Sequence, residues 1–347
     1  MDMHEFGKGL QSTIQPARRA LIAGLLALGL GWAPAGASLA QTKVSIGTAK
    51  DPNLGAQLVI AREKGFFKEA GVDAEIKYFP SGGDLMAAFV GGSVQMGSSG
   101  ATPTTTLRAR PYPVKIVAQI SDISGAQQLI VKQSLKNMNE LYGKRIGLLK
   151  GTASEALFNS FVKAYGFDPG KVEIVSMGPT EMLQAFVRGD VAAVSMWEPH
   201  TTRARKSGNG KILVSGTKSY LTGKEQANRI YGDHAALFAT ETFVRDNGAT
   251  VRAVLTALAK ANDFIDKNRN EAIAILAKEF ELDVADMTDV AAVNHYTLAL
   301  DDQMASDLNK LSDFLYGLKR IQSQVKAADW IDPAPLRAVR PDLVKLK

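Results

Sequence analysis

The stretch LMAAFVGGSVQMGSSGATPTTTLRAR (residues 85–110) is similar to a later stretch of the same chain, MLQAFVRGDVAAVSMWEPHTTRARK (residues 182–206). At a constant offset of 97 residues, Ala88, Phe89, Val90, Gly92 and Val94 correspond to Ala185, Phe186, Val187, Gly189 and Val191. At slightly larger offsets, Glu75, Ile76, Ile46, Gly47 and Lys50 correspond to Glu173, Ile174, Ile146, Gly147 and Lys150. A unit of about 100 residues that occurs only twice is too long for a solenoid repeat and indicates an internal duplication.

Each copy has the pattern of a strand, helix, strand, helix, strand unit. Strands that alternate with helices predict a mostly parallel sheet flanked by helices, so the duplication predicts an α/β protein of two similar lobes. The predicted elements are 44–48, 56–70, 74–79, 84–90 and 94–97 in the first copy, and 145–149, 154–165, 172–176, 181–187 and 191–195 in the second.

The segments outside the copies predict the connection between the lobes. Residues 114–120 and 128–133 are predicted strands, and the segment HAALFATETFV (residues 234–244) is predicted to cross back as a strand. From about Thr250 the amphipathic pattern predicts helices that pack on the first lobe. The predicted domains are a signal segment (1–40), the first lobe (41–127 and 236–347, the latter with the C-terminal helices) and the second lobe (128–235).

The first forty residues have the pattern of an export signal. Basic Lys8, Arg18 and Arg19 precede an apolar run from Ala20, and small residues lead to a predicted cleavage between Ala40 and Gln41. The chain has no cysteine, which excludes a lipid anchor on cysteine, a disulfide and a thiolate metal site. We therefore expect a periplasmic protein.

Charge and motifs exclude several other classes of function. The net charge of +6 is spread without a basic cluster, and no aromatic and basic residues are interleaved as nucleic acid binding requires. The histidines His200, His234 and His295 lack metal-ligand spacing, and neither a GxSxG nor a P-loop motif is present. We expect no metal, no cofactor and no nucleic acid partner.

The duplication also predicts where a ligand would bind. In open α/β sheets, ligands bind beyond the carboxyl ends of the strands, beside helix N-termini whose free N–H groups and dipole favour anions. The candidate site residues in the first copy and near the crossovers are Lys50, Asp51, Ser81, Gly82, Gly83, Ser98, Ser99, Gly100, Asp122 and Asp233, and those in the second copy are Gly151, Thr152, Trp197 and Glu198.

Each candidate also has a structural interpretation. Ser98-Ser99-Gly100 and Ser81-Gly82-Gly83 could be strand-to-helix turns, and Thr152 could cap its helix. Trp197 could belong to a core, Glu198 to a solvated turn, and Asp233 could make a structural hydrogen bond.

Several segments resemble one family of exported proteins. AREKGFFKEAGVDAEI (61–76), ELYGKRIGLLKGTASE (140–155) and FVRGDVAAVSMWEPH (186–200) resemble periplasmic substrate-binding proteins of ABC importers, in the nitrate, taurine, alkanesulfonate and thiamine-precursor group. The resemblance implies a type II-like fold with two lobes joined by two crossover strands, which closes on its ligand by hinge bending. It also implies a monomer that delivers a solute to an inner-membrane permease without catalysis.

The resemblance implies a small anionic solute such as an aliphatic sulfonate, with Ser98-Ser99-Gly100 around its head group and Gly151-Thr152 and Trp197 on the facing wall. Taurine binders resemble this chain but have acidic residues where it has Ala192 and Gln127, which places amine recognition in doubt. The alternative is a nitrogenous or heteroaromatic solute, such as a vitamin precursor, stacked on Trp197. An enzyme and a sensor partner are the rival classes.

Overall fold

The computed structural model describes residues 41–80, 82–110 and 112–347, which belong to one compact unit. The predicted signal segment and the candidate Ser81 lie outside the described residues, so both stay predictions. Within the described ranges, no helix is long and apolar enough to cross a membrane.

The described residues form fifteen strands and thirteen α-helices. The strands are β1 (Thr42–Ala49), β2 (Val72–Phe79), β3 (Met96–Gly100), β4 (Val114–Asp122), β5 (Gln127–Lys132), β6 (Arg145–Leu148), β7 (Glu173–Ser176), β8 (Ala193–Trp197), β9 (Gly210–Ser215), β10 (Lys218–Ser219), β11 (Gln226–Ala227), β12 (His234–Thr240), β13 (His295–Tyr296), β14 (Leu300–Asp301) and β15 (Val344–Lys345). The helices are α1 (Pro52–Glu63), α2 (Phe66–Glu69), α3 (Gly82–Val90), α4 (Ala101–Arg108), α5 (Ala153–Tyr165), α6 (Pro179–Arg188), α7 (His200–Ser207), α8 (Glu241–Asp246), α9 (Gly248–Lys267), α10 (Arg269–Phe280), α11 (Val284–Val293), α12 (Asp302–Gly317) and α13 (Ala334–Val339).

Two large sheets organise these elements. The first sheet has the order β13-β4-β12-β3-β1-β2, and the second has the order β11-β10-β9-β5-β8-β6-β7. We call the first sheet with α1–α4 and α8–α13 the first lobe, and the second sheet with α5–α7 the second lobe. The sheets are mixed, because the duplicated units supply parallel strands and the connecting strands β12 and β5 pair antiparallel.

The strand register confirms the duplication. Ile46 of β1 pairs with Ile76 of β2 and with Met96 of β3. In the second lobe, Ile146 pairs with Ile174 and with Ala193. The three offsets in the sequence are therefore the spacings between residues that occupy equivalent places in the two sheets.

A glycine is required at the same place in both copies. A side chain on Gly47 would overlap the Cδ1 atom of Leu85 in α3. A Cβ on Gly147 would lie 2.9 Å from the Cγ atom of Met182 in α6, at the position equivalent to Leu85. In each lobe the absence of a side chain lets a helix pack directly on the first strand, which explains why both copies have glycine there.

The chain crosses between the sheets twice. It leaves the first sheet after Asp122 and enters the second at Gln127, and it returns between Ala227 and His234. The predicted strand 234–244 is confirmed for residues 234–240, which form β12 and pair antiparallel with β3 and β4, whereas residues 241–244 belong to α8.

Each lobe has its own apolar core. In the first lobe, Phe89 of α3 packs edge-on against Phe238 of β12, with ring centroids 4.9 Å apart. The predicted helical tail packs on this lobe, where α9 contacts α1 and the fully buried Trp330 joins the core. The second lobe buries Phe158 and Phe161 of α5. A smaller cluster joins the lobes, where Phe314 of α12 packs near Ala156 and Leu157 of α5.

Candidate functional site

The walls predicted from the duplication meet at one direct contact. Asn53, in the first turn of α1, donates a hydrogen bond from Nδ2 to the carbonyl oxygen of Glu198, 2.7 Å away. Asn53 follows β1 of the first lobe, and Glu198 follows β8 of the second. The carboxyl-end turns of the two sheets therefore face each other, and we call the space bordered by these turns the interlobe cleft.

Asn53 is held in place for this contact. It is buried, and its Oδ1 accepts a 2.6 Å hydrogen bond from Nδ2 of Asn294. Its backbone N–H donates to the side chain of the N-cap residue Asp51, at 2.8 Å. Sequence reasoning selected Asp51 but missed Asn53, whose position in the first helical turn after a strand was the available signal.

The predicted site residues Asp51 and Glu198 approach each other across the cleft. Burial raises the pKa of Asp51 to about 7, and the negative charge of Glu198 adds to this rise. Glu198 is fully buried, and its Oε2 accepts a hydrogen bond from the Thr202 N–H at 3.0 Å, which caps α7. The solvated-turn interpretation of Glu198 is wrong, because the side chain is buried and stabilises its own helix.

A second group of polar residues surrounds the N-terminus of α4. Its N-cap residue is Gly100, which has no side chain to cap the helix, and no other atom lies within 4 Å of the place that a Cβ on Gly100 would take. The buried side chain of Asp233 lies there: burial raises the pKa of this carboxyl to about 7, against the lowering effect of His234 and of the Ala101 N–H. The predicted candidates Gly100 and Asp233 are thus brought together.

Two further groups near Asp233 were missed by sequence reasoning. The hydroxyls of Thr102 and Tyr231 are buried beside each other, and neither makes a hydrogen bond of ordinary geometry with the described residues. Thr102 lies in the first turn of α4, and Tyr231 precedes Asp233 in the second crossing. A buried hydroxyl without a partner costs free energy, which a ligand or a water molecule can offset by hydrogen bonding.

The serines of GSSG do not form the predicted loop. Ser98 and Ser99 are buried in β3, which continues to Gly100, three residues beyond the predicted strand end. The Ser98 hydroxyl donates to the Leu54 carbonyl and thereby fixes α1 to the strand. The neighbouring Ser99 lies beside the start of α3, where a Cβ on Gly82 would be 3.5 Å from its hydroxyl oxygen. Ser99 and Gly82 are therefore neighbours, with the exposed Gly83 next to them.

Polar groups of the Gly151-Thr152 turn already make hydrogen bonds within the protein. Thr152 caps α5 by accepting from the Ser154 N–H at 3.2 Å, as its structural interpretation predicted. The Gly151 N–H donates to the carboxylate of Glu155 at 2.7 Å. Glu155 also lies 3.7 Å from Arg320 of the first lobe, and Lys206 of α7 pairs with Asp286 and Asp289 of α11, so ion pairs join the lobes as well.

Trp197 forms an aromatic corner on the second lobe. It is half-buried at the end of β8, and its ring meets that of His200 edge-on, with centroids 6.2 Å apart. Burial, together with the charge of Arg203, lowers the pKa of His200 to about 4, so its imidazole is neutral at neutral pH. His200 was missed because a lone histidine in a turn carries no specific signal.

The remaining candidates lie away from this corner. Lys50 is exposed and pairs with Glu281 on the surface of the first lobe. Asp122 lies at the first crossing, where its carboxylate accepts from Ser124 and lies 3.1 Å from Arg229. Burial alone would raise the pKa of Asp122, but His234, Ser124 and Arg229 hold it below the ordinary value.

Carboxyl groups of the protein itself occupy the helix N-termini at the cleft. Asp51 lies at α1, Asp233 at α4, Glu155 at α5 and Glu198 at α7. These carboxyl groups offset the positive end of each helix dipole, so a bound anion would compete with them. The described residues contain no group of His, Cys, Asp and Glu side chains arranged to hold a metal ion.

Comparison with known proteins identifies relatives of two kinds. A family model described as NMT1/THI5 like matches residues 54–272. The taurine-binding periplasmic protein of Escherichia coli (strain K12) is 29% identical over 149 residues, which cover 43% of this chain and 46% of that protein, so less than half of its length is matched. The 4-amino-5-hydroxymethyl-2-methylpyrimidine phosphate synthase THI5 of Saccharomyces cerevisiae is 25% identical over 219 residues, 60% of this chain and 62% of that enzyme.

Solved structures share the two-lobe architecture. The periplasmic aliphatic sulphonate binding protein SsuA from Escherichia coli superposes with a TM-score of 0.71 at 20% identity, over 84% of this chain and 92% of that one. The periplasmic nitrate-binding protein NrtA from Synechocystis PCC 6803 gives 0.67 at 17% identity, over 87% and 89%. The predicted fold class, a two-lobe periplasmic-binding-protein fold, is confirmed.

Proposed function

Because the chain belongs to the NMT1/THI5-like family, we propose that it is the solute-binding component of an ABC importer. It captures a small organic solute in the interlobe cleft and delivers it to an inner-membrane permease. The contact between Asn53 and Glu198 carries this proposal, since it joins the two lobes through the turns that border the cleft. The export signal predicted in residues 1–40 agrees with a periplasmic location.

The first candidate solute is an aliphatic sulfonate. A sulfonate keeps its charge at every physiological pH, so backbone N–H groups and hydroxyls can hold it without an ion pair. The N-terminus of α4 after Gly100 has such donors, and there a sulfonate would compete with the Asp233 carboxyl, which accepts from the Ala101 N–H. The names of the taurine-binding and sulphonate-binding relatives support this class.

The second candidate is a solute with N–H donors, such as an amine or an aminated heteroaromatic ring. The buried carboxyl of Asp233 and the free hydroxyl oxygens of Thr102 and Tyr231 accept hydrogen bonds, and Asp51 faces the same cleft. The rings of Trp197 and His200 provide a surface on which a planar solute can stack. A solute that carries both a sulfonate and an amine would use both sets of groups.

A thermal-shift screen tests the proposal. A solute present at a hundred times its Kd stabilises the protein by about 2.7 kcal/mol, which raises the melting temperature measurably. The panel contains alkanesulfonates, taurine, nitrate, simple amines and aminopyrimidines. The proposal fails if none of these classes raises the melting temperature and titration calorimetry detects no binding.

The variant Asp233→Asn separates the two solute classes. It removes the acceptor for a cationic nitrogen, so amine binding should fall by at least tenfold, whereas sulfonate binding should be unchanged or stronger. Asp73→Asn is the matched control, because Asp73 is exposed in β2, away from the cleft. Equal loss of both solute classes in Asp233→Asn would mean that this carboxyl only supports the fold.

The enzyme alternative rests on the synthase relative, and it is tested with the same solutes. A binding protein returns its bound solute chemically unchanged, in a stoichiometric amount, when it is denatured and the extract is analysed by mass spectrometry. Conversion of any panel member over many turnovers would replace the proposed function with an enzymatic one.

A further inference from the structure

A cavity lies at the first crossing, behind the contact between Asn53 and Glu198. Its volume is about 270 Å³, enough for a molecule of a few non-hydrogen atoms. Both lobes line it: Gln128, Ser215 and Tyr220 belong to the second lobe, and Asp122, Ala292 and Asn294 to the first. Except for Asp122, none of the candidate solute-binding residues lines this cavity.

The cavity contains acceptor oxygens without donors. Gln128 is almost completely buried, and its Oε1 has no hydrogen-bond partner among the described residues. Asn294 is more than nine-tenths buried, and its Oδ1 also lacks a partner there. The carboxylate of Asp122 lines the same space. The Asp122 carboxylate is already paired with Ser124 and Arg229. Because buried polar groups are normally hydrogen-bonded, the amide oxygens call for an occupant that donates.

The N–H groups of the same two amides position the two residues that meet between the lobes. Nδ2 of Asn294 donates to Asn53, and Nε2 of Gln128 lies 3.4 Å from Oε1 of Glu198. Asn53 in turn donates to the Glu198 carbonyl. Asn294 therefore supports Asn53 within the first lobe, and Gln128 supports Glu198 within the second lobe.

The cations near the cavity already have partners. The ammonium of Lys218 lies 2.6 Å from the carboxylate of Glu225, which also accepts from the Tyr220 hydroxyl. The guanidinium of Arg229 lies 3.1 Å from Asp122. Among the described residues, the unpaired Tyr296 hydroxyl lies beside Asn294, and the His295 imidazole lines the cavity without a hydrogen-bond partner. The Oε1 atom of Gln128 is therefore the acceptor that most clearly lacks a donor from the protein.

We propose that this cavity is a second binding site, for a small cation with several N–H donors of the amidinium or primary ammonium class. Occupancy orients the side chains of Gln128 and Asn294 and thereby favours the arrangement in which Asn53 reaches Glu198. Binding there and solute binding in the cleft then strengthen each other, because a coupling free energy between two sites acts in both directions.

The first test uses acetamidinium, acetamide and acetate, which have similar shapes and differ in charge and N–H donors. Ligand-observed NMR with each probe at millimolar concentration should detect binding of acetamidinium to the full-length protein. Binding of acetamide should be weaker, and binding of acetate should not be detected. This measurement needs no solute, so its outcome is independent of the proposed function. Acetate binding as strong as that of acetamidinium, or no binding of any probe because the cavity holds only water, would overturn the proposal.

Two variants locate the probe. Ala292→Phe fills the cavity from its exposed edge without changing either amide, and Gln128→Leu removes one acceptor. Both should abolish the acetamidinium signal, whereas Gln226→Leu, at an exposed position of β11, should retain it. Unchanged acetamidinium binding in Ala292→Phe would show that the probe binds elsewhere.

The coupling is measured with the tightest solute of the screen. Saturating acetamidinium should raise solute affinity by about fivefold, the lower end of the usual range for coupled sites. The increase should vanish in Ala292→Phe while solute binding itself persists. Solute affinity that is the same with and without acetamidinium in the native protein would refute the coupling.

Discussion

The variant Asn53→Ala tests the contact that joins the two lobes. It removes two buried hydrogen bonds, one to the Glu198 carbonyl in the other lobe and one from Asn294 in the same lobe. The first bond exists only when the lobes are together, so its loss acts on closure. The second exists whatever the position of the lobes, so its loss acts on the stability of the first lobe.

The size of each effect follows from the number of bonds lost. One hydrogen bond contributes a net of about 0.5–1.5 kcal/mol, so loss of the interlobe bond should weaken solute binding by about 2- to 12-fold. Leaving the buried Nδ2 of Asn294 without an acceptor should cost about 1–3 kcal/mol of folding stability. In a chain of 347 residues each kcal/mol lowers the melting temperature by roughly 1–2 °C.

The assay combines titration calorimetry with thermal melting, and Asn294→Ala is the matched variant. Asn294→Ala removes the intralobe bond and leaves Asn53 able to donate to Glu198. Both variants should melt at a lower temperature, but Asn53→Ala should lose more solute affinity than Asn294→Ala, which keeps the bond to Glu198 and loses only the positioning of Asn53. Equal affinity losses in the two variants would refute the assignment of the Asn53–Glu198 bond to closure.

Three other perturbations test the connections and the duplication. Asp307 is buried and accepts from Arg229 at 2.7 Å and from His234 at 3.0 Å, and these partners outweigh burial and hold its pKa well below the usual range. Asp307→Asn should therefore be less stable than the native protein by about 2–4 kcal/mol at pH 7. The difference in unfolding free energy between the two proteins should shrink as the pH falls below about 4, because protonation of Asp307 then removes the stability that its ionised form contributes. A difference that stays constant in urea unfolding across that pH range would contradict this. A side chain on Gly216 would overlap the Ser124 carbonyl in the first crossing, so Gly216→Ala should weaken solute binding while far-ultraviolet circular dichroism stays native; native affinity would exclude a role at the hinge. Gly47→Ala should cost about 1–3 kcal/mol. Gly147→Ala should cost less, because its Cβ would lie 2.9 Å from Met182, whereas a Cβ on Gly47 would overlap Leu85 more deeply and also lie 3.0 Å from the ring of Phe79. The opposite order in urea unfolding would show that the two lobes relax differently.

The sequence by itself determined the architecture. The correspondence of Ile46 with Ile146, and of Ile76 with Ile174, predicted two equivalent sheets, and the strand register agrees with it. Hydrophobic periodicity and glycine placement are local signals that repeat in each copy, so they can be read without knowing which strands meet. The same signals predicted the crossing strand β12 and the helical tail.

Only the tertiary structure decided which side chains occupy the cleft. The sequence predicted a loop at Ser98-Ser99, but strand pairing with β12 extends β3 through both residues and buries them. No local pattern places the Asp233 carboxyl at the start of α4, or Asn53 against Glu198, because each pair is brought together by the second crossing or by the meeting of the lobes. Contacts between residues far apart in the chain depend on how whole lobes pack, and a hydrogen bond requires that packing to be accurate to a few tenths of an ångström.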